Sequence, residues 1–134
     1  MTKDLIEIAW AAGLFEGEGC IHVSPRRKSK GHVRTLVIQL TDLDVLHRFH
    51  RIVGVGAIYA SGSNHLRNKK WKQSWMWQTS AWVDINSVLG AFLPFLGNRR
   101  REKALALLAC MPMPSNRTKK IAGFAKTNRR VRAA

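Results

Sequence analysis

Along this chain the spacing of apolar positions changes from about 3.6 residues to 2 and back, and each change marks an element. Leu5, Ile8, Ala9, Ala12 and Gly13 follow helical spacing, so residues 4–15 predict a helix. Asp4 can cap it, with Glu7 three residues on as in a capping box. Glu16-Gly17-Glu18-Gly19 ends it, because glycine makes continuation costly. Residues 20–27 alternate as a strand, with Ile21 and Val23 on one side and His22, Ser24 and Arg26 on the other. Pro25 calls for an edge position or a bend. Residues 28–31 are a turn and residues 33–41, rich in β-branched side chains, a second strand.

Residues 42–52 return to helical spacing, with Thr41 or Asp42 as cap and Leu43, Leu46 and Phe49 on one face. Gly54 and Gly56 stop this helix. A short strand at 57–61, a basic loop at 62–71 and a strand at 72–80 form a second hairpin, in which Trp75 and Trp77 share one side. Helices follow at 83–93, ending near Pro94, and at 100–111, with Leu105, Leu108 and Met111 inward. The order is helix, hairpin, helix, hairpin, helices, an α+β chain.

With 134 residues, 46% of them apolar, the chain can build one core and not two. We expect a domain over 1–114 and a basic tail over 115–134, which carries no acidic residue and is either solubilising or a binding arm. No apolar run is long enough to span a bilayer, and the N-terminus has no secretory pattern. The expectation is a soluble intracellular protein with no membrane partner. Cys20 and Cys110 lie far apart outside any C-x-x-C pair, and read as two buried thiols rather than a zinc site or disulfide.

Charge narrows the function. Lys and Arg number 23 against 8 Asp and Glu, a net +15, which attracts polyanions. Charge does not separate DNA from RNA, or an enzyme from a passive binder. Most of the five Trp residues read as core; Trp71, beside Lys69, Lys70 and Lys72, is the exposed-aromatic candidate.

Two glutamates stand out against this basic background. Glu16 and Glu18 share a glycine-rich helix end, where exposed carbonyls and the helix dipole also favour a cation. A metal-dependent nuclease needs such a carboxylate to hold a hard cation that stabilises phosphoryl charge and activates water. The other reading is that both are exposed and inert. Ala9, Gly13 and Gly17, spaced by four, form a small-residue row along one helix face. Either this row packs internally, or it lets the same helix of a second copy approach closely, bringing two Glu18 residues to one twofold axis.

Ala11-Ala12-Gly13-Leu14-Phe15-Glu16-Gly17-Glu18-Gly19 resembles the LAGLIDADG motif in its variant with glutamates and a central glycine. The segments 36–41, 75–80 and 94–100 resemble that family's second strand, its fourth strand and the stretch that delivers a basic catalytic residue. The resemblance covers roughly residues 5–112. It implies the LAGLIDADG endonuclease fold, in αββαββα order with an extra C-terminal helix, and an antiparallel four-stranded DNA-binding saddle. One motif implies the homodimeric type, a homing endonuclease of the kind often intron-encoded.

The resemblance implies roles as well. Glu18 is the metal ligand, assisted by the Gly17 carbonyl, and the metal is Mg2+, or another divalent cation such as Mn2+ or Ca2+ in a non-cleaving complex. Ala9, Ala12, Gly13, Glu16 and Gly17 form the dimer interface. Arg99 falls where the family places a basic residue near the scissile phosphate, usually Lys; Arg stabilises phosphoryl charge but carries no proton at neutral pH. It is equally readable as a solvated residue of the 99–101 arginine run. Asp42 stands where many relatives have Gln, and is a water or metal ligand or only a helix cap.

In this reading the saddle lies in the major groove of a long, pseudo-palindromic double-stranded DNA site. His22, Ser24, Arg26 and Lys28 come from the first strand, Thr35 and Gln39 from the second. Tyr59 and Ser61 come from the third, Ser74, Met76 and Gln78 from the fourth. Arg26 and the Gln residues are base-reading candidates, while Lys28, Lys30, Arg67, Lys69 and Lys70 hold phosphates. The implied setting is the cytoplasm or nucleoid of a prokaryotic or phage-infected cell, or an organelle. Two rivals stand: a non-cleaving binder on the same fold, as an intron-RNA maturase or DNA-binding regulator, and a generic basic RNA-binding protein. The acid at position 18 argues against a passive binder, which gains nothing from negative charge facing phosphate.

Overall fold

A computed structural model describes residues 3–28, 31–61 and 72–110. Its order is α1 (Lys3–Glu18), β1 (Gly19–Pro25), β2 (His32–Leu40), α2 (Leu43–Val53), β3 (Ala57–Ser61), β4 (Ser74–Thr79), α3 (Trp82–Phe92), a 3-10 turn (Leu93–Phe95) and α4 (Asn98–Ala109). The four strands form one antiparallel sheet in the order β1-β2-β4-β3. This is the α+β architecture and element order expected from the periodicity. The expected basic loop, and the tail from residue 111 on, lie outside the described residues.

Antiparallel pairing puts Ile21 opposite Leu36, Ile38 opposite Trp77, and Trp77 opposite Ile58, so these side chains share one sheet face. The helices cover that face. Ala11, Ala12 and Phe15 of α1, Leu46 and Phe49 of α2, Ile85, Val88, Leu89 and Phe92 of α3, and Ala104 and Leu107 of α4 complete one core. Phe49 meets Trp77 edge-on at 4.8 Å, and Trp77 Nε1 donates to the Val55 carbonyl at 2.9 Å, so the largest buried ring has its polar atom satisfied. Thr79, the buried polar residue among those described, donates to Asp84 in the first turn of α3 at 3.0 Å. Arg48 of α2 lies 3.9 Å over the Trp10 ring and pairs with Glu7 at 3.4 Å, joining α2 to α1.

Several expectations need correction. The first helix does not stop at Phe15: it runs through Glu16, Gly17 and Glu18 and passes into β1 with no residue between. Asp4 lies inside its first turn and Glu7 pairs with Arg48, so the capping box does not form. Its buried side is Ala11, Ala12 and Phe15, while Leu5 and Gly13 are exposed. Gly19 is required by packing rather than by a turn, because a Cβ there would strike the Phe15 ring and carbonyl. Gly54 and Gly56 do stop α2, with φ of 69° and 81°.

Val23 shares the covered face but is half exposed, since the helices do not reach that end of the hairpin. It lines an open cleft of about 380 Å3 with Ile21, Arg34, Lys103 and Leu107. In α4 the inward residues are Ala104 and Leu107; Leu105 is exposed, Leu108 half-buried and Met111 outside the described residues. The cysteines are not buried either: Cys20 is half-buried and Cys110 exposed, both free thiols.

Candidate nucleic-acid interface and acidic site

The face of the sheet away from the helices has no buried residue among those described. Register assembles it from separate strands. His22 lies opposite Thr35 and Ser24 opposite Val33. Gln39 lies opposite Met76, and Met76 in turn opposite Tyr59. Gln78 lies between Val37 and Ala57, and Ser61 opposite Ser74. The residues expected there from strand parity are thus brought together on one surface. Cys20, Val33, Val37 and Ala57 share it and were not singled out, although the same parity marks them.

Hydrogen bonds order part of this face. Gln39 Nε2 donates to Ser74 Oγ at 3.1 Å, and Ser74 Oγ donates to the Ser61 carbonyl at 3.4 Å. Thr35 Oγ1 and Ser80 Oγ share a hydrogen bond at 3.1 Å. Arg26 and Lys28 lie past the last residue of β1, both exposed, and the Arg26 N–H donates to the Gly31 carbonyl at 3.1 Å to close the turn. Lys30, Arg67, Lys69 and Lys70 lie outside the described residues, as does Trp71. Because β2 runs antiparallel to both neighbours, the β1–β2 and β3–β4 turns sit at opposite ends of the sheet. Basic residues flank both ends: Arg26, Arg27 and Lys28 at one, Lys72 at the other.

The acidic site sits where α1 enters the sheet. Glu18 and Gly17 are exposed there, one and two residues before the β1–β2 pair Gly19–Ile38. Gly13 and Gly17 face open space, since a Cβ built on either meets nothing within 4 Å. Ala9 is half-buried beside them, and Ile6, one turn earlier, is exposed. Ala12, expected at a dimer interface, is 0% exposed inside the core of its own chain, so its methyl group is not available to a partner.

Glu16 is engaged within the chain. Its Oε2 accepts the Gly97 N–H at 3.3 Å and lies 3.7 Å from Arg100 Nε. A carboxylate at the start of α4 also opposes the positive end of that helix dipole. Three consecutive arginines go three ways. Arg99 is exposed. Arg100 donates to the Gly19 carbonyl and stacks 5.5 Å over the Phe15 ring. Arg101 donates to the Leu93 and Leu96 carbonyls, both at 3.1 Å, fastening α4 to the 3-10 turn. Arg100 is the arginine that reaches the end of α1, whereas Arg99, expected near the scissile phosphate, faces solvent.

Asp42 is the N-cap residue of α2, two residues past the end of β2, and is exposed with no side-chain cap bond. Among the described residues no three His, Cys, Asp or Glu side chains gather to hold a metal ion. No helix among them is long and apolar enough to cross a membrane.

No family model and no curated relative matches the sequence. Solved structures match the fold. The homing endonuclease I-CvuI, in complex with its target in the presence of calcium, superposes with a TM-score of 0.64 at 19% identity, over 79% of this chain and 66% of its own. The group I intron-encoded homing endonuclease I-CeuI, complexed with DNA, gives 0.62 at 13% identity over 78% of this chain and 52% of its own. The LAGLIDADG meganuclease I-AabMI, bound to uncleaved DNA, gives 0.57 at 19% identity over 72% of this chain. This chain therefore spans just under two thirds of I-CvuI, about half of I-CeuI and 33% of I-AabMI. Four antiparallel strands covered on one face by four helices are the fold of the LAGLIDADG homing endonucleases.

Proposed function

We propose that this chain is a site-specific DNA endonuclease that works as a homodimer and hydrolyses one phosphodiester in each strand of a long, pseudo-palindromic duplex with a divalent cation, Mg2+ in the cell. The observation that carries the reading is the exposed end of α1. Glu18 sits at the tip of a helix whose Gly13–Gly17 side is open, and the same helix leads directly into a sheet with one uncovered face. One chain offers a single carboxylate at this point, too few for a metal centre among the described residues. Two copies packed through the open glycine side bring two Glu18 carboxylates together, one per DNA strand.

The donor set fits a hard cation. A carboxylate and the backbone carbonyls at a helix C-terminus are oxygen ligands with partial or full negative charge. Such a cation polarises the phosphoryl group and lowers the pKa of bound water. The residues of the chain do the rest. Glu18 and the Gly17 carbonyl are the ligands. Arg100 holds the α1–β1 junction by the Gly19 carbonyl, which fixes where Glu18 points relative to the sheet. Asp42 and Arg99, both exposed, are candidates for ordering water and for stabilising phosphoryl charge. The sheet face supplies hydrogen-bonding groups to base edges, and the basic turns supply phosphate contacts. The DNA bound in a neighbouring structure of this fold supports DNA over RNA, and the net charge of +15 suits either polyanion.

The test is cleavage of a duplex recovered by selection from a randomised pool, with magnesium, by wild type and Glu18→Gln. Cutting of both strands by wild type, and binding without cutting by Glu18→Gln, is the expected result. Tight binding with no cutting by wild type would replace the enzyme with a non-cleaving binder.

A further inference from the structure

We infer that the duplex lying under the middle of the sheet is A·T-rich, with guanine preference confined to the two ends of each arm. The inference rests on the reading of the uncovered sheet face as a major-groove surface. Among the described residues, no outward-facing strand position is Lys, Arg, Asp or Glu. That removes the charged side chains that read G·C pairs, leaving His22 on the edge strand β1 as the neutral ring donor suited to guanine and the Ser and Thr hydroxyls indifferent to the pair. Arg or Lys donates to guanine O6 and N7, and Asp or Glu accepts from cytosine N4.

What remains suits A·T pairs. A glutamine carboxamide is complementary to adenine N6 and N7, and apolar groups contact the thymine methyl. The register alternates these two kinds of group. Gln39 lies opposite Met76, and Gln78 lies between Val37 and Ala57, so each carboxamide has apolar neighbours across the strands. The Gln39 carboxamide is also held in place. One of its N–H groups goes to Ser74 Oγ at 3.1 Å, leaving the second N–H and the carbonyl oxygen for a base.

Among the described residues, positive charge flanks the reading surface rather than lying within it. Phosphate attraction is blind to sequence, whereas neutral polar and apolar groups that reach the groove floor discriminate between base edges. Arg26, Arg27 and Lys28 lie past the end of β1, and Lys72 lies before β4 at the opposite end of the sheet. Among the described residues, the cationic donors able to grip guanine are therefore at the margins of the reading surface.

The full chain, incubated with a randomised duplex pool at physiological salt, would be captured and the bound DNA sequenced. The expected result is a continuous run of positions in each arm enriched severalfold in A·T, with G appearing only at the ends of that run. Gln39→Arg, at an exposed position and checked for folding by circular dichroism, moves one position from A to G by about tenfold. Central G·C enrichment, or a Gln39→Arg pool identical to wild type, overturns the inference. Retention of duplex with no positional preference overturns it while leaving DNA binding intact. Failure to retain any duplex removes the underlying reading as well.

Discussion

Arg100 Nε lies 3.7 Å from Glu16 Oε2, an ion pair that joins the first turn of the last helix to the last turn of the first. The same guanidinium donates to the Gly19 carbonyl and covers the Phe15 ring. With its side chain only 17% exposed, it acts as an internal tie. Its partner Glu16 is 41% exposed, which limits the ion pair itself to well under about 1 kcal/mol. Most of the effect comes from the charged hydrogen bond to a part-buried carbonyl. Arg100→Met is therefore expected to cost about 2 kcal/mol in urea unfolding. Arg99→Ala, at an exposed position, should stay within about 0.5 kcal/mol. Equal losses for the two variants would contradict this division of roles.

The open side of α1 makes a second prediction separable from folding. Gly13 is exposed in mid-helix and a Cβ there meets nothing within 4 Å. Gly13→Ala should raise the intrinsic stability of the monomer by roughly 0.5–1 kcal/mol, through helix propensity alone. In the proposed dimer, Gly13→Leu should fold equally well but lower the affinity between subunits by at least about tenfold, because its side chain fills the space a second helix needs. Sedimentation velocity over a concentration series reads the shift. A Gly13→Leu protein that still sediments as the wild-type dimer would show that this side of the helix is not the contact.

Salt dependence separates phosphate contacts from base contacts. For a dimer in which each Lys72 neutralises one phosphate, Lys72→Ala should reduce the slope of log affinity against log salt by about two, at unchanged sequence preference. Gln78→Ala should leave the slope alone and weaken discrimination at one position in each arm by about 1–3 kcal/mol. Binding titrations on matched and single-mismatch duplexes at several salt concentrations give both quantities. A changed slope for Gln78→Ala would move that residue off the base edges.

Much of the fold was legible because strand parity and turn glycines are local signals. His22, Thr35, Gln39 and Met76 share one sheet face, as the alternation read from the sequence requires. Gly54 and Gly56 take the positive φ values that their stop signal calls for. The end of α1 was harder. Two glycines look like a stop, yet each costs only about 1 kcal/mol in a helix. The contacts that hold this helix end come from Gly97 and Arg100, about eighty residues away.

The buried side of α1 was ambiguous for a different reason. Leu5, Ile6, Ile8, Ala9, Ala11 and Ala12 surround the axis, so periodicity alone gives no unique inward direction. Placing Ala12 in the core and Leu5 outside took the packed helices. Arg99 and Arg100 could not be told apart either, since a run of like residues carries no phase. Only the register of α4 decides which of them turns toward α1.

The absence of any residue between α1 and β1 has a mechanical consequence. In the proposed dimer, the element that joins the subunits and the strand that lies on the DNA are one uninterrupted stretch of backbone. The offset between the two cuts is then set by the crossing of two helices, a fixed gauge independent of the bases beneath the sheet. Changing Gln39 or Gln78 would redirect such an enzyme to another address while leaving the stagger of its cut as it was.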